Sequence, residues 1–455
     1  MSILVKDKHF YASLFKIALP VTLQSTLLIG INMADTIMVG SLGEFQLSAT
    51  SLSNSFYHIF QILCFGIGYG AAVLTAQYWG ANKIPELKRV ITIMLRITMV
   101  FAALFTVVTI LNPDSILNLY TPDQRIIEHG VKYLRLIAVT YIMHGLSQTL
   151  TITLRSVGTV RLPLLTTALS FVLNIFLNWI FIFGNLGAPR LEIAGAALAS
   201  LIARSVEAVI IVFYFLRIDD RIKYKLRDFF EKCSDQIRGF IRYAVPVIIS
   251  DVLLALGMNA VAIVMGHIGA AFVAAHAVVA VINQLSSVMT QGLSNASSII
   301  TGHTLGQKKI NAAYDQGKTF LLIGAAVGAI AGIVVIVAGP PWVAAYKLEY
   351  ATLQIADQLI LASAAVLVFR TIGNIMTKGV LRGGGDTRFL MVADILFLWA
   401  ASVPLGYLAA FVWKLSAFAI FMFLNIDQII KALWCVHRFR TKKWIRTVAA
   451  ESISS

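Results

Sequence analysis

Charged side chains are scarce in this chain: Asp, Glu, Lys and Arg make up 13% of its 455 residues, while 58% of the residues are hydrophobic. Soluble globular proteins carry roughly 25% charged residues. Runs of about 20 apolar residues, long enough to cross the hydrocarbon core of a bilayer as a helix, recur along the sequence. The composition therefore excludes a soluble protein and predicts a polytopic membrane protein.

Cysteine is also rare. The three cysteines, Cys64, Cys233 and Cys435, are too few and too scattered for a disulfide or zinc framework. No P-loop of the form G-x-x-x-x-G-K-[ST] occurs, and the nearest match, GHTLGQKK at 302–309, has the wrong spacing to cradle a phosphate. We therefore expect neither a resident cofactor nor ATP-driven pumping. The first few dozen residues lack a short apolar segment with a small-residue cleavage site, so the first helix is expected to be retained.

The net charge of +15 does not indicate a nucleic-acid-binding protein. A basic nucleic-acid-binding face needs Lys and Arg clustered on a solvated domain, and the apolar composition leaves no room for one. The basic residues instead concentrate in alternate loops, for example 217–242 and 438–446. By the positive-inside rule, this asymmetry predicts a multi-pass protein of the plasma membrane with both termini in the cytoplasm.

Hydropathy and length together predict twelve membrane-spanning helices. Their approximate spans are 14–39, 48–78, 91–112, 130–153, 162–185, 193–216, 240–266, 272–302, 319–341, 353–380, 389–412 and 416–436.

The sequence contains an internal repeat. The stretch 20–43 aligns without a gap with 246–269, and 154–161 matches 381–388. Each half then holds six spans. Because six is even, both halves enter the membrane from the same side, so the repeats are predicted to be parallel and related by an axis along the membrane normal.

The repeat also predicts the domain organisation. We expect an N-terminal six-helix bundle at 1–217, a charged cytoplasmic linker at 218–239, and a C-terminal six-helix bundle with a basic cytoplasmic tail at 240–455. A duplicated membrane scaffold of this kind, with differently placed carboxylates in its two halves, is typical of transporters.

Several stretches, taken in order, resemble the multidrug and toxic compound extrusion (MATE) family over essentially the whole chain. They are ADTIMVGSLG, AAVLTAQYWGANK, the Asn174 and Asn178 pair before FGNLGAP, GAALAS, and LRGGGDTR. The glycine-rich LRGGGDTR is more similar to the DinF-like branch than to the NorM-like branch. The resemblance implies twelve helices in a V-shaped pair of bundles around a central cavity. It also implies export of organic, often cationic, compounds driven by inward H+ or Na+.

Asp35 is the main candidate for ion coupling. A carboxylate near mid-helix in hydrocarbon costs about 2.5–3.5 kcal/mol on insertion scales unless it is paired, hydrated or protonated. It must therefore face a cavity or a bundle core, where its protonation depends on burial and on nearby charge. Asp35 also matches the first-helix acid of the family. The alternative is a static Asp held by hydrogen bonds to its neighbours.

Helix five adds amide groups to this candidate site. Asn174 and Asn178 stand four residues apart on one helix face, and the ion-coupling set also includes Asn32 and Ser200. The resemblance implies an acid where Asn178 stands in some members and a Thr where Ser200 stands. The departure of this sequence puts a high-affinity Na+ site in doubt. Packing hydrogen bonds between helices are the alternative role for the Asn pair.

Arg204 and Glu207 lie within helix six at i, i+3 spacing, so each can neutralise the other on one helix face. A structural ion pair is one interpretation. Arg204 is about three turns from the end of its helix, too deep to snorkel to the surface, so contact with Asp35 or with the Asn pair is the other.

The second half carries a secondary ion or substrate site in this interpretation. Asp251 stands where NorM-like members of the family carry a seventh-helix acid. Their tenth-helix acid falls near Thr371, beside Arg370, so the sign of the charge is reversed here. We expect Arg370 to pair with Asp251 or Asp394, either as a fixed pair or as one that switches.

Flexible Met side chains and aromatic rings accept varied cations. A promiscuous substrate cavity is therefore predicted at Tyr69, Met258, Met265, Gln284 and Met289.

The sequence predicts an ion-coupled exporter of small organic molecules, mainly cations, acting as a monomer in the bilayer. H+ is favoured over Na+ because two acids found in Na+-using relatives are missing, and Na+ prefers several hard oxygen ligands. A lipid-linked oligosaccharide flippase is the alternative, and it would need a cavity rich in Arg and Lys to hold pyrophosphate. An enzyme is not expected, because no clustered His, Asp or Cys constellation is found.

Overall fold

The computed structural model describes residues 4–346 and 348–447, and within these ranges all regular secondary structure is helical. Helices satisfy every backbone hydrogen bond within one segment, which a chain surrounded by hydrocarbon requires. The prediction of an all-α polytopic membrane protein is confirmed. The end of the predicted basic tail, 448–455, lies outside the described residues.

Sixteen α-helices are numbered here in chain order. The first eight are α1 (Lys8–Gly40), α2 (Glu44–Gly80), α3 (Ile84–Leu111), α4 (Pro113–Asn118), α5 (Gln124–Ile137), α6 (Thr140–Ser156), α7 (Arg161–Phe183) and α8 (Ile193–Phe213). The other eight are α9 (Ser234–Ile268), α10 (Ala270–Gly306), α11 (Ile310–Ala344), α12 (Tyr350–Asn374), α13 (Thr387–Phe397), α14 (Val403–Tyr407), α15 (Ala417–Leu424) and α16 (Ile426–Arg440).

Short π-helical turns continue several of these helices without a break. They are Tyr214–Ile218 after α8, Ile375–Leu381 after α12, and Leu398–Ser402 and Leu408–Val412 on either side of α14.

Within the described residues, ten helices are long and apolar enough to cross a membrane. The pair α15 and α16, bent by 44°, adds an eleventh span if the two helices are counted together. The remaining predicted span, 130–153, is divided between α5 and α6. Charged residues explain why α5 is not apolar along its length, since it carries Arg125, Glu128, Lys132 and Arg135. The single span predicted at 130–153 thus corresponds to two shorter helices.

The chain divides into two compact units. The first unit comprises Leu23–Thr75 and Lys83–Ala244. The second unit comprises Ala76–Asn82 with the described parts of 1–22 and 245–455. The predicted domain boundaries at the 218–239 linker stay a prediction.

In the first unit, α7 and α8 form a tight hairpin. Gly184 ends α7 with φ +76°, a left-handed conformation that a glycine adopts without strain. The N–H of Leu191 then donates to the carbonyl oxygen of Phe181 at 2.8 Å. A Cβ added at Gly195 would lie 2.5 Å from the same Phe181 oxygen, so only glycine allows this approach. The hairpin brings the polar faces of α7 and α8 together.

In the second unit, α11 packs on α12 through a row of glycines spaced four residues apart. An added Cβ would lie 2.9 Å from Ile375 Cδ1 at Gly324, 2.9 Å from Val368 Cα at Gly328, and 3.0 Å from Ala364 O at Gly332. Small residues at this spacing let two membrane helices approach backbone to backbone. We call Gly324, Gly328 and Gly332 the glycine row.

Candidate ion-coupling site

Asp35 lies half-buried on α1, in the part of that helix that belongs to the first unit. The Nδ2 atom of Asn178, on α7, donates a hydrogen bond to Asp35 Oδ1 at 2.5 Å. Hydrogen bonds to an ionised acceptor are shorter and stronger than neutral ones. The contact therefore fits a charged carboxylate held by a neutral amide.

The two asparagines of α7 share one buried face, as their spacing indicates. Asn174 is 2% exposed and Asn178 is fully buried. Asn178 Nδ2 lies 3.3 Å from Asn174 Oδ1, and Asn174 Nδ2 donates to Ser200 Oγ on α8 at 3.3 Å. The structure thus joins four of the predicted residues, Asp35, Asn178, Asn174 and Ser200, in one line of polar contacts. Their role in ion coupling stays a prediction.

One atom beside Asp35 has no partner among the described residues: the buried Oδ1 of Asn178. Buried acceptors almost always find a donor, and a carboxylate offers none. A protonated Asp35 would supply an O–H for this oxygen if the Asn178 amide turned over. The amide can therefore serve either protonation state of Asp35.

Arg204 and Glu207 form an ion pair on α8, with Nη1 to Oε2 at 3.1 Å and side chains 14% and 6% exposed. The predicted i, i+3 pairing is present. Arg204 acts on Asp35 through its electric field, without a hydrogen bond. Of the two interpretations, the structure favours the ion pair.

A second line of contacts, which sequence reasoning missed, leads away from Glu207. Thr167 Oγ1 donates to Glu207 Oε1 at 3.2 Å and accepts from Gln24 Nε2 at 2.8 Å. Gln24 Oε1 in turn accepts from Arg155 Nη2 at 2.5 Å. Arg155 is only 6% exposed, inside α6. Gln24, inside the predicted apolar span 14–39, was the available signal, whereas Arg155 lies just beyond the predicted span 130–153.

The charges of this network balance. Asp35 and Glu207 supply two negative charges, and Arg204 and Arg155 supply two positive ones. Buried charges are tolerated when each is compensated by a partner and by hydrogen bonds. Binding a proton at Asp35 would leave the network with one excess positive charge, so the electrostatics of the first unit respond to a single proton.

Asn32 is placed differently from the other predicted residues. Its side chain lies on an exposed face of α1, and its backbone oxygen accepts from Thr36 Oγ1 at 2.8 Å. Within the described residues it makes no contact with the Asp35 network, so it would act there only after a rearrangement.

In the second unit, the expected pairing of Arg370 is wrong. Arg370 Nη2 donates to Asn425 Oδ1 at 2.8 Å, while Asp394 contacts Lys431 and Ser250. Asp251 is half-buried. The reason is that α16, which carries Lys431 and begins directly after Asn425, packs against α12 and α13. Sequence order does not reveal such neighbours.

Thr371 is 1% exposed, and its hydroxyl lies 3.4 Å from that of Thr290. This is a neutral contact between α12 and α10, beside the charged residues described above.

Sequence reasoning also missed the buried charges of the last helices. Asp394, Asp427 and Lys431 are only 3–4% exposed. Asp427 Oδ1 accepts from Ser402 Oγ at 2.7 Å, and Asp427 Oδ2 accepts from Gln428 Nε2 at 2.5 Å. Three charges inside the predicted spans 389–412 and 416–436 were a signal of the same kind as Asp35.

The five residues assigned to a substrate cavity are dispersed. Met265 is 8% exposed and packs in the apolar core of the second unit. Met258, Gln284 and Met289 are exposed there. Tyr69 belongs to the first unit, where its ring stacks on Phe65 at 5.8 Å. Neither unit assembles the whole set into one pocket.

No group of three or more His, Cys, Asp or Glu side chains within 4–346 and 348–447 is placed to hold a metal ion.

The MatE family model matches the chain twice, over residues 20–180 and 246–408. The two matches begin 226 residues apart (246 − 20), which is the offset of the predicted repeat.

Named relatives match nearly end to end. A probable multidrug resistance protein NorM of Thermotoga maritima is 26% identical over 441 residues, covering 95% of this chain and 92% of that protein. The multidrug resistance protein NorM of Vibrio cholerae is 25% identical over 406 residues, covering 87% of each.

Solved structures agree on the fold. The bent form of the Vibrio cholerae MATE transporter VcmN has a TM-score of 0.87 and 19% identity, covering 96% of this chain and 99% of that one. A MOP superfamily transporter from Pyrococcus furiosus has a TM-score of 0.84 and 20% identity, covering 95% and 96%. The chain belongs to the MATE family of multi-span membrane transporters.

Proposed function

We propose that this protein is a secondary active antiporter that exports organic compounds, mainly cations, in exchange for H+. The observation that carries the proposal is the contact between Asp35 and Asn178, set in a buried network whose charges balance. The relatives named as multidrug resistance proteins support efflux of varied small molecules.

In the proposed cycle, Asp35 alternates between two hydrogen-bonded states. Ionised, it accepts from Asn178 Nδ2 and attracts a cationic substrate. Protonated, it donates to Asn178 Oδ1, and the network carries one excess positive charge through Arg204 and Arg155. A cationic substrate is then repelled, so the binding of the proton and the binding of the substrate to the first unit exclude each other. Release of the proton on the other side of the membrane restores the attraction.

The surroundings of Asp35 favour H+ over Na+. Na+ is held by several hard oxygen ligands, and the oxygens within this line of contacts are few. Asn174 Oδ1 and Ser200 Oγ already accept hydrogen bonds, which leaves Asp35 and Asn178 Oδ1. The Arg204 guanidinium, whose field reaches Asp35, also opposes a second cation. A proton needs only one acceptor.

The test is transport by the purified protein in vesicles, with H+ and Na+ gradients imposed separately and a panel of cationic dyes. When an H+ gradient is imposed and the Na+ concentration is equal on both sides, we expect the dye to move in the direction opposite to the flow of H+. Dye movement driven by a Na+ gradient at clamped pH would overturn the choice of ion. If neither gradient drives dye movement, the proposal that the protein is an antiporter is wrong.

A flippase for lipid-linked oligosaccharides is less well supported. Such a protein would offer cations to a pyrophosphate group. Here Arg204 contacts Glu207, Arg155 contacts Gln24, and Lys431 contacts Asp394. These three buried cations already have a polar or charged partner within their own unit.

We further propose that the protein acts as a monomer in the plasma membrane with both termini in the cytoplasm, as the distribution of basic residues predicts. Membrane-impermeant labelling of single cysteines at Lys8 and Arg440, in intact and in opened cells, tests the sidedness. Labelling in intact cells would contradict it.

A further inference from the structure

Residues 219–233 connect two membrane spans and form what we call the connecting segment. The span before it, Ile193–Ile218, and the span after it, Ser234–Ile268, are both apolar. Both ends of the segment therefore lie at the same face of the membrane. Fifteen residues anchored at both ends stay close to that surface.

The inner side of this segment is fixed to α3. Lys88 Nζ pairs with Asp228 Oδ2 at 2.8 Å and also donates to the carbonyl oxygen of Lys223 at 2.7 Å. The hydroxyls of Thr92 and Tyr224 lie 2.7 Å apart. These contacts hold the first half of the segment in one position.

Two arginines of α3 hold the second half. Arg96 donates to the carbonyl oxygens of Phe229 and Glu231. Arg89 pairs with Asp235, at the start of α9, at 2.7 Å. The segment is thus a fixed structural element with a defined outer face.

The outer face is basic. Two of the four carboxylates of the segment are turned inward, since Asp219 and Asp228 are 6% and 5% exposed. Asp220 and Glu231 are exposed, against four exposed cations: Lys223, Lys225, Arg227 and Lys232. Arg221 is also exposed, but its Nη1 donates inward to the carbonyl oxygen of Val157 at 2.9 Å. The cations are therefore in excess on the side that faces away from the protein.

The same face carries large apolar side chains. A 3-10 helix spans Leu226–Phe230, and Leu226 and Phe230 are 67% and 76% exposed. The Arg227 side chain between them is 80% exposed. Apolar residues flanked by Lys and Arg at a membrane surface are typical of segments that lie in the headgroup layer.

We propose that the outer face of the connecting segment binds the anionic phospholipids of the leaflet at which it emerges. Leu226 and Phe230 enter the acyl boundary, and Lys223, Lys225 and Arg227 contact the lipid phosphates. Basic residues next to a membrane are attracted by anionic lipid headgroups. The proposal is independent of the transported substrate and of the coupling ion.

The first experiment titrates phosphatidylglycerol into the purified full-length protein in a neutral detergent and follows the unfolding midpoint. Phosphatidylcholine serves as the neutral lipid. The variant Lys225→Gln/Arg227→Gln is compared with Lys308→Gln/Lys309→Gln, which removes the same charge from another exposed turn. We expect the first variant to need roughly 10- to 30-fold more phosphatidylglycerol for half of the stabilisation, and the second to behave as the wild type.

Two results would overturn the proposal here. In one, both variants respond to phosphatidylglycerol alike. In the other, soluble glycerol phosphate stabilises the wild type as well as the lipid does, which would assign the face to a free phosphate compound.

A second experiment measures position. A nitroxide is attached at Phe230→Cys after Cys64, Cys233 and Cys435, all buried, are replaced by Ala. In bilayers containing phosphatidylglycerol we expect collisions with oxygen to exceed those with a water-soluble nickel chelate, whereas a label at Lys308→Cys favours the chelate. A label at 230 that favours the chelate would show that Phe230 stays in water, against the proposal.

Discussion

Lys431 Nζ lies 3.2 Å from Asp394 Oδ1, with both side chains almost fully buried in the second unit. Ser250 Oγ donates to the other carboxylate oxygen, Asp394 Oδ2, at 2.9 Å. The Lys431 ammonium therefore compensates the buried negative charge of Asp394, which would otherwise have no cationic partner there. This pair is separate from the Asp35 network of the first unit.

Replacing Lys431 by Met should strongly destabilise the protein, because it leaves the Asp394 carboxylate buried without its partner. Breaking a buried ion pair costs about 3–5 kcal/mol. The double variant Asp394→Asn/Lys431→Met should recover much of this loss. Unfolding midpoints of the two single variants and the double variant form a mutant cycle. Strictly additive effects would show that the two side chains do not interact.

Asp35→Asn should give a folded, membrane-inserted protein that has lost gradient-driven export, since the amide fixes a neutral side chain at this position. Binding of cationic dyes is expected to weaken, because the neutral amide leaves the network with one excess positive charge, and dye export under an imposed H+ gradient is the measurement. Asp251→Asn is the comparison and should weaken transport to a degree that depends on substrate charge. Export by Asp35→Asn at the wild-type rate would make Asp35 a structural residue.

Asn178→Asp should make the first unit responsive to Na+. The new carboxylate would stand within hydrogen-bonding distance of Asp35, and two adjacent carboxylates favour an added cation or a shared proton. We expect the unfolding midpoint of this variant to rise with Na+ concentration at constant ionic strength and neutral pH. Asn174→Asp is the comparison, because Asn174 lies one turn away on the same face of α7 and hydrogen-bonds to Ser200 and Asn178, so its new carboxylate is expected to give a weaker response. Equal responses of the two variants would argue against a site centred on Asp35.

The connecting segment should become less stable in acid, because Asp228 loses its negative charge there. Burial opposes ionisation of this group, but hydrogen bonds from the Lys88 ammonium and the Lys225 backbone N–H outweigh it and hold the pKa of Asp228 below its usual value. A lowered pKa stabilises the folded state above the unfolded pKa of about 3.9, and the contribution disappears as the pH falls through the folded pKa. The difference in stability between the wild type and Asp228→Asn should thus be constant from pH 8 to about pH 5 and shrink below about pH 4. A difference that grows in acid would contradict this.

Gly328→Ala should destabilise the second unit by about 1–3 kcal/mol, the usual cost of overpacking. The added Cβ would lie 2.9 Å from the backbone of Val368. Gly266→Ala in α9 is the control, because nothing lies within 4 Å of its added Cβ, and alanine favours helix over glycine. Thermal unfolding of the two variants should shift in opposite directions. A shift in the same direction would mean that contact with Val368 does not limit the packing.

The parts of the site that lie within one helix could be predicted from the sequence. Helical spacing placed Asn174 with Asn178 and paired Arg204 with Glu207, and the cost of charge in hydrocarbon singled out Asp35. Contacts between distant helices could not be predicted in this way. Helices that are apolar on all sides do not show which face meets which neighbour, so the partner of Arg370 was assigned wrongly.

Polar residues near span ends were similarly hard to place. Arg155 sits close to a predicted loop, and sequence alone gives no reason to bury it against Gln24. The same limit applies to the predicted span 130–153, whose residues are divided between α5 and α6.

The glycine row bears on how the protein is made. Helices α11 and α12 follow each other in the chain, and the close contacts at Gly324, Gly328 and Gly332 involve α12 and the turn directly after it. The hairpin therefore has its main packing surface as soon as α12 has been synthesised and inserted, before α13 to α16 exist. Those later helices, with the buried charges Asp394, Asp427 and Lys431, can enter the bilayer beside a partner that is already assembled.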